Sequence, residues 1–297
     1  SIVLNIFIAA AFLVGAGIFL YPTVSDMWNQ YRNAQLISTY DQAVTDLSDD
    51  NYEKLWKEAE EYNAEHPVNS IVDAFNEEED YEPTHPYDEV LDPNGDGLMG
   101  SIEIPKIQAK LAIYHGLSKN VLEKGVGHVE GTSLPIGGES THAVLAAHRG
   151  LPNAKLFTDL DQMKVGDHFL LHVLDETLCY EVDKISVVKP EDTSALAVED
   201  GQDLVTLLTC TPYGVNTERL LVRGHRVPYV EEEVKEEKTV LSGSSLHTNY
   251  LLWVFVGLSV TALFVFVLYL KETKLKRRAN KGGKNRLWQK KRRKKVL

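Results

Sequence analysis

Two stretches of the chain are apolar enough and long enough to cross a bilayer. Ile2–Leu20 is interrupted only by the polar Asn5, and Tyr250–Leu270 carries no charge. A helix rises about 1.5 Å per residue, so about 20 such residues cover the roughly 30 Å hydrocarbon core. Trp253 and Tyr269 stand near the ends of the second stretch, where amphipathic rings favour the membrane interface. Between the two spans the pattern changes character. Over 24–66 it is helical: Met27, Tyr31, Ala34, Ile37, Tyr40, Val44 and Leu47 form one stripe, and Leu55, Trp56, Ala59 and Tyr62 a second. Asp50 followed by Glu53 predicts a capping box for the second helix, and Pro67 ends the region. Residues 67–97 combine the acidic run Glu77-Glu78-Glu79-Asp80 with Pro83, Pro86, Pro93, Gly95 and Gly97, which predicts a loop. Loops of that length in compact domains are often functional lids.

From Gly100 onward the pattern is that of β-strands. The segments Ser101–Pro105, Ala112–His115, Thr141–Ala147, Asp167–Leu174, Thr177–Lys189, Asp203–Thr209 and Arg219–Val227 are separated by turn residues such as Gly137-Gly138, Gly150 and Gly166-Asp167. Seven short strands with few helical patterns predict a mainly β barrel or sandwich. Glu231–Lys238 is an acidic stalk and Ser242–Ser245 a small-residue spacer. The expected organisation is an anchor or signal segment at 1–20, helices at 21–66, an acidic lid loop at 67–97 and a β domain at 98–228. A linker at 229–249, a span at 250–270 and a basic tail at 271–297 complete it.

Charge gives this layout a direction. The 297 residues hold 31 Lys and Arg against 43 Asp and Glu, a formal charge of −12. The segment Lys271–Leu297 alone carries +13, which leaves −25 on the rest of the chain. One uniform acidic globule is therefore excluded, and 43% hydrophobic residues exclude disorder for most of the chain. Two cysteines exclude a disulfide scaffold and a cysteine-rich zinc module. A basic segment directly after a span is expected to stay cytoplasmic and to meet the anionic inner leaflet rather than nucleic acid. Everything before Tyr250 is then external. Ile2–Leu20 reads either as a retained anchor, giving a two-pass protein, or as the core of a signal; both deliver 21–249 outside.

Three residues at strand ends could do chemistry together. Cys210 closes the apolar run Leu204–Thr209, and Arg219 opens the next strand after the turn-forming loop 211–218. If those strands pair antiparallel, thiol and guanidinium face each other, and a cation there stabilises a thiolate or an oxyanion. His148 follows strand Thr141–Ala147, and a cysteine near a histidine is the minimum nucleophile–base arrangement. On spacing alone, a buried cysteine, a surface arginine and a structural histidine remain the plainer reading. Cys179 shares its strand face with Glu181 and Asp183 and reads as an incidental thiol. His142 would share the His148 face and reads as packing. Separately, Asp92, Asn94, Asp96 and Glu103, with Gly97 between, satisfy the spacing of a calcium loop. Pro93 and the strand-like Ile102-Glu103-Ile104 replace the flanking helices, so an Asx-rich turn entering the first strand competes with that reading.

The segment Thr206-Leu207-Leu208-Thr209-Cys210-Thr211-Pro212-Tyr213-Gly214, followed by Asn216-Thr217 and Arg219-Leu220-Leu221-Val222-Arg223-Gly224, resembles the active-site strand pair of sortases. Its Thr-Pro-Tyr-Gly continuation is similar to class C, the pilin-polymerising branch. Ala147-His148-Arg149-Gly150-Leu151-Pro152, Gly100-Ser101-Ile102-Glu103-Ile104-Pro105-Lys106-Ile107 and His128-Val129-Glu130-Gly131-Thr132-Ser133-Leu134-Pro135 resemble other sortase segments, so the likeness covers roughly 98–228. It implies a closed β-barrel of about eight strands with N-terminal helices, a lid and two transmembrane helices. It implies Cys210 as nucleophile toward the Thr–Gly bond of a Leu-Pro-x-Thr-Gly-like sorting signal, His148 as general acid/base and Arg219 as oxyanion partner. Thr209 and Thr211 are the implied substrate-binding neighbours. Asp73-Ala74-Phe75 resembles the class C lid anchor, with Asp73 toward Arg219 and Phe75 over Cys210; Ala74 departs from the commoner proline. The partners implied are pilins or surface proteins bearing a C-terminal sorting signal, a pilin lysine amine as acceptor, and the lipid bilayer. No cofactor is expected, and no ATP is needed outside the cell, because the thioester conserves most of the peptide-bond free energy. A housekeeping-type sortase, a hydrolytic cysteine protease and a non-enzymatic calcium-stabilised module are the alternative readings.

Overall fold

The computed structural model describes residues 2–65, 74–75 and 84–229, together with positions 257, 259, 270, 271, 273 and 274. Most of the acidic lid, the linker, the second apolar span and the basic tail lie outside the described residues. The chain divides into two compact units, Ser1–Thr239 and Val240–Leu297, and the first holds all that follows.

Helix α1 runs without a break from Ile2 to Thr45, through Pro22, so the apolar N-terminal segment and the first amphipathic stripe are one element. Its part from Ala10 onward is long and apolar enough to cross a membrane. Only the C-terminal half of the stripe packs: Ile37, Tyr40 and Val44 are buried, whereas Met27, Tyr31 and Ala34 are exposed. Tyr40 fixes the helix, donating to the Met99 carbonyl (2.8 Å) and accepting from the Leu174 amide (2.9 Å). Helix α2, Asp49–Glu65, buries Ala59 and Tyr62. Its N-cap is Ser48, not Asp50: the Ser48 hydroxyl and carbonyl both receive the Asn51 amide. The capping residue sits just outside the first helical turn, and here that turn already contains Asp49 and Asp50.

Eight strands follow: β1 Leu98–Ile104, β2 Ala109–His115, β3 Val126–His128, β4 Thr141–Ala146, β5 His168–Val173, β6 Glu176–Val188, β7 Asp203–Thr211 and β8 Glu218–Val227. They close into a barrel in the order β1-β2-β3-β4-β7-β8-β6-β5, with β5 returning to β1. The seven strands read from sequence are all present within a few residues. The eighth, β3, is only three residues long and carries no alternation to detect. Two neighbours are parallel, β2 with β3 and β4 with β7. The second of these pairs positions the site.

Alternation along β4, β7 and β8 assigns two faces. Ala143, Leu145, Ala147, Val205, Leu207, Leu220 and Val222 belong to the barrel interior. Val144, Ala146, Leu208 and Leu221 belong to a separate apolar cluster on the outer wall, closed by Val129, by Leu196 of the β6–β7 connection and by Ala74. These strands are buried on both faces. That is why they read as nearly continuous apolar runs rather than as alternating ones.

Candidate active site

Cys210 and Arg219 are direct register partners across the antiparallel pair β7–β8. Both are nearly buried, at 6% and 7% exposure. By the parity of their strands they point to the outer wall, with Leu208 and Leu221, rather than into the barrel. His148 joins them through the parallel pair β4–β7. Ala146 registers with Leu208, the Ala147 amide donates to the Leu208 carbonyl (3.2 Å), and the Thr209 hydroxyl donates to the Ala147 carbonyl (2.7 Å). One further step along each strand sets His148 beside Cys210 on the same face. The three residues thus meet at one rim, where β4 and β7 end and β8 begins. The Arg219 guanidinium is anchored from below, donating from one terminal nitrogen to the carbonyls of Asn216 (3.1 Å) and Glu218 (3.0 Å).

Phe75 covers this rim. Its ring centroid lies 5.4 Å from that of His148, and the Arg219 guanidinium carbon lies 5.3 Å from the same ring. Ala74 is seated in an apolar groove of the outer wall beside Arg219, lined by Val129, Val188, Leu196, Leu208 and Leu221. Asp73, the other expected lid residue, lies outside the described residues.

The two threonines implied as substrate-binding neighbours flank Cys210 in β7. Thr209 is fully buried and, one residue before Cys210, faces the opposite way; its hydroxyl is spent on the Ala147 carbonyl. That bond ties β7 to the residue before His148. The Thr211 hydroxyl accepts from Arg149 at 3.4 Å. The four calcium candidates are not gathered. The Asp92 carboxylate accepts the amides of Asp96 (3.1 Å) and Gly97 (2.9 Å), and Asp96 accepts that of Leu98 (3.1 Å). Glu103 sits in β1, 3.7 Å from His172. Among the described residues no three acidic, histidine or cysteine side chains converge as metal ligands would. The segment is an Asx-rich turn entering β1.

Cys179 opposes Val227 on β8, and Cys210 opposes Arg219. Those partners stand eight positions apart along one strand, about 26 Å at 3.3 Å per residue, so the two thiols are not disulfide partners. Cys179 packs with Leu170 and Val227. His142 is buried, with Nδ1 2.8 Å from the Ala197 carbonyl and Nε2 2.7 Å from the Thr206 hydroxyl. Burial pushes its pKa down, so it holds the β6–β7 connection onto the wall as a neutral ring. Arg149 had no role assigned from the sequence, and only its place directly after His148 could have drawn attention to it.

Comparison with known proteins places the barrel in a family. The Sortase domain profile matches residues 102–227. Sortase C of Streptococcus pneumoniae superposes with a TM-score of 0.62 at 44% identity, covering 66% of this chain and 98% of that one. A pilus-related sortase C of Group B Streptococcus superposes with a TM-score of 0.60 at 44% identity, covering 64% and 96%. Sortase D of Bacillus subtilis is 33% identical over 131 residues, 43% of this chain and 63% of that relative. The chain spans about half to two thirds of the length of the curated relatives it matches. The closed barrel and these likenesses agree, and the chain belongs to the sortase family.

Proposed function

We propose that the protein is a membrane-anchored cysteine transpeptidase that joins pilin subunits. The observation that carries this reading is the register: Cys210 opposite Arg219, with His148 two residues past β4 on the same wall. In the proposed reaction the Cys210 thiolate adds to the threonine carbonyl carbon of a Leu-Pro-x-Thr-Gly-like signal. The oxyanion so formed faces the Arg219 guanidinium. Collapse breaks the Thr–Gly bond, His148 protonates the departing glycine amine, and a thioester remains on Cys210. A pilin lysine amine then adds to that thioester and gives up a proton to His148. The thiolate leaves, and an isopeptide bond joins the two proteins. Phe75, and with it Asp73, forms a lid that must lift before the signal can enter.

The names of the similar structures favour a pilin as substrate over the housekeeping attachment of surface proteins to the wall. The apolar part of α1 supports an N-terminal anchor. The second span and the basic tail complete a two-pass arrangement with the barrel external and the tail cytoplasmic, on the charge asymmetry alone.

The test is incubation of the full chain with a pilin bearing a sorting signal, followed by mass spectrometry of the products. A threonine-to-lysine isopeptide that is absent in Cys210→Ala supports the reading. Release of free threonine carboxylate regardless of added amine would make the protein a hydrolase instead.

A further inference from the structure

His148 stands beyond the last ladder hydrogen bond of β4, which ends at the Ala147 amide. Its place against Cys210 is therefore set by the connection that follows. Arg149 closes that connection. Its side chain is 7% exposed, and its three nitrogens reach three different partners. Nε donates to the Thr158 carbonyl (3.1 Å), one terminal nitrogen to the Thr211 hydroxyl (3.4 Å), and the other pairs with the Asp161 carboxylate. The guanidinium carbon also lies 5.7 Å from the Tyr213 ring centroid. Gly150, at φ +80°, packs on the same ring, and a Cβ there would come within 3.0 Å of it. The turn is tied off by the Gly150 amide on the Thr158 hydroxyl (3.1 Å) and the Phe157 amide on the His148 carbonyl (3.2 Å).

Thr211 directly follows Cys210 at the end of β7, and Tyr213 lies in the β7–β8 loop just beyond. Arg149 thus fastens the segment carrying His148 to the segment leaving Cys210. We infer that Arg149 is a positioning residue, whose fork holds the imidazole at the thiol. The inference rests on the transpeptidase reading. Geometry at this point matters because a displacement of about 1 Å can cost about a hundredfold in rate. Lysine cannot replace the fork: one ammonium does not span three acceptors lying in different directions.

The test uses the full chain in a Phe75→Ala background, so that the ring over the site does not limit access. Alkylation of Cys210 by iodoacetamide is followed by mass spectrometry across about pH 5 to 9, for Arg149, Arg149→Lys and Arg149→Met, with His148→Ala as reference. Alkylation follows the thiolate, so the profile reports the thiol's immediate partners. Both Arg149 variants should lose about tenfold in rate near neutral pH and take on the His148→Ala profile, while unfolding stays cooperative. An unchanged profile, or full rescue by lysine, overturns the inference. Transpeptidation by the same proteins separates the two levels. Activity in the parent with unmoved profiles overturns the clasp alone. No activity in the parent overturns the enzymatic reading, and the alkylation profiles still judge the clasp.

Discussion

The ring of Phe75 lies over that of His148 at 5.4 Å between centroids, tilted by 35°. The same ring faces the Arg219 guanidinium at 5.3 Å, so one aromatic side chain touches two of the three residues proposed for chemistry. A cation–π contact of this kind contributes about 0.5–2 kcal/mol. That is enough to favour a closed lid and little enough for a substrate to displace it. Phe75→Ala should therefore speed alkylation of Cys210 by about two- to thirtyfold, on the same energy scale. Asp73→Ala is expected to act in the same direction. Unchanged alkylation kinetics in both variants would remove the lid from the account.

Arg219→Lys keeps the positive charge but loses the fork that is anchored on the Asn216 and Glu218 carbonyls. A single ammonium satisfying those carbonyls has little left to offer an oxyanion. The expected loss in kcat is about 10²–10³, the size measured when one oxyanion donor is removed. KM for the sorting signal should move far less. Steady-state kinetics with a signal peptide and an amine acceptor decide it: a change confined to KM would make Arg219 a binding residue only.

Much of this was legible in the chain because the local patterns were strong. The Cys210–Arg219 pairing follows from two apolar strands and a turn-rich loop between them, and seven of the eight strands announce themselves by composition. What was not legible depends on parity and on non-local pairing. Thr209 and Cys210 are adjacent, and only the assignment of faces shows that one points inward and the other to the outer wall. His148 reaches Cys210 through a parallel pair whose strands are some sixty residues apart in the chain, which no spacing rule reveals. The calcium pattern was satisfied in sequence yet dispersed in space, because Glu103 belongs to a strand and cannot fold back over Asp92.

A buried polar cluster around His128 is expected to set the acid limit of stability. His128 is fully buried, with Nε2 2.8 Å from the Ser133 carbonyl and Nδ1 2.8 Å from the Tyr87 hydroxyl. Nε2 therefore carries the proton, and Nδ1 accepts from Tyr87. Burial lowers the pKa of His128 from 6.5 to about 4. Between those values the unfolded chain binds a proton that the folded one refuses, so stability falls as pH drops. It is complete above about pH 6.5 and is reduced by on the order of 3 kcal/mol below pH 4. His142, also depressed, adds in the same direction. Urea unfolding at several pH values checks this. His128→Gln should be less stable at neutral pH yet show a shallower pH slope, and equal slopes would exclude His128 as the titrating group.

The last expectation concerns how α1 meets the site. Just past its apolar stretch, the helix grips the connection that leaves His148. Ser25 donates to the Asn153 carbonyl at 3.2 Å, the Asn29 amide donates to the same oxygen, and the Asp26 carboxylate accepts the Lys155 amide at 2.9 Å. Lys155 in turn pairs with Asp159 at 2.8 Å and reaches the Ile107 carbonyl at 3.1 Å. A helix continuous from its apolar stretch into these contacts ties the connection after His148 directly to the segment proposed as the anchor. Each hydrogen bond contributes about 1 kcal/mol net, so the double variant Asp26→Ala/Asn29→Ala should lower protection of the Lys155 amide by about tenfold or more. Amides in the centre of β7 and β8, held by the barrel ladder, should exchange as before. Uniform loss of protection across the barrel would mean that α1 stabilises the whole domain. Unchanged exchange at Lys155 would mean that the connection holds its shape without the helix.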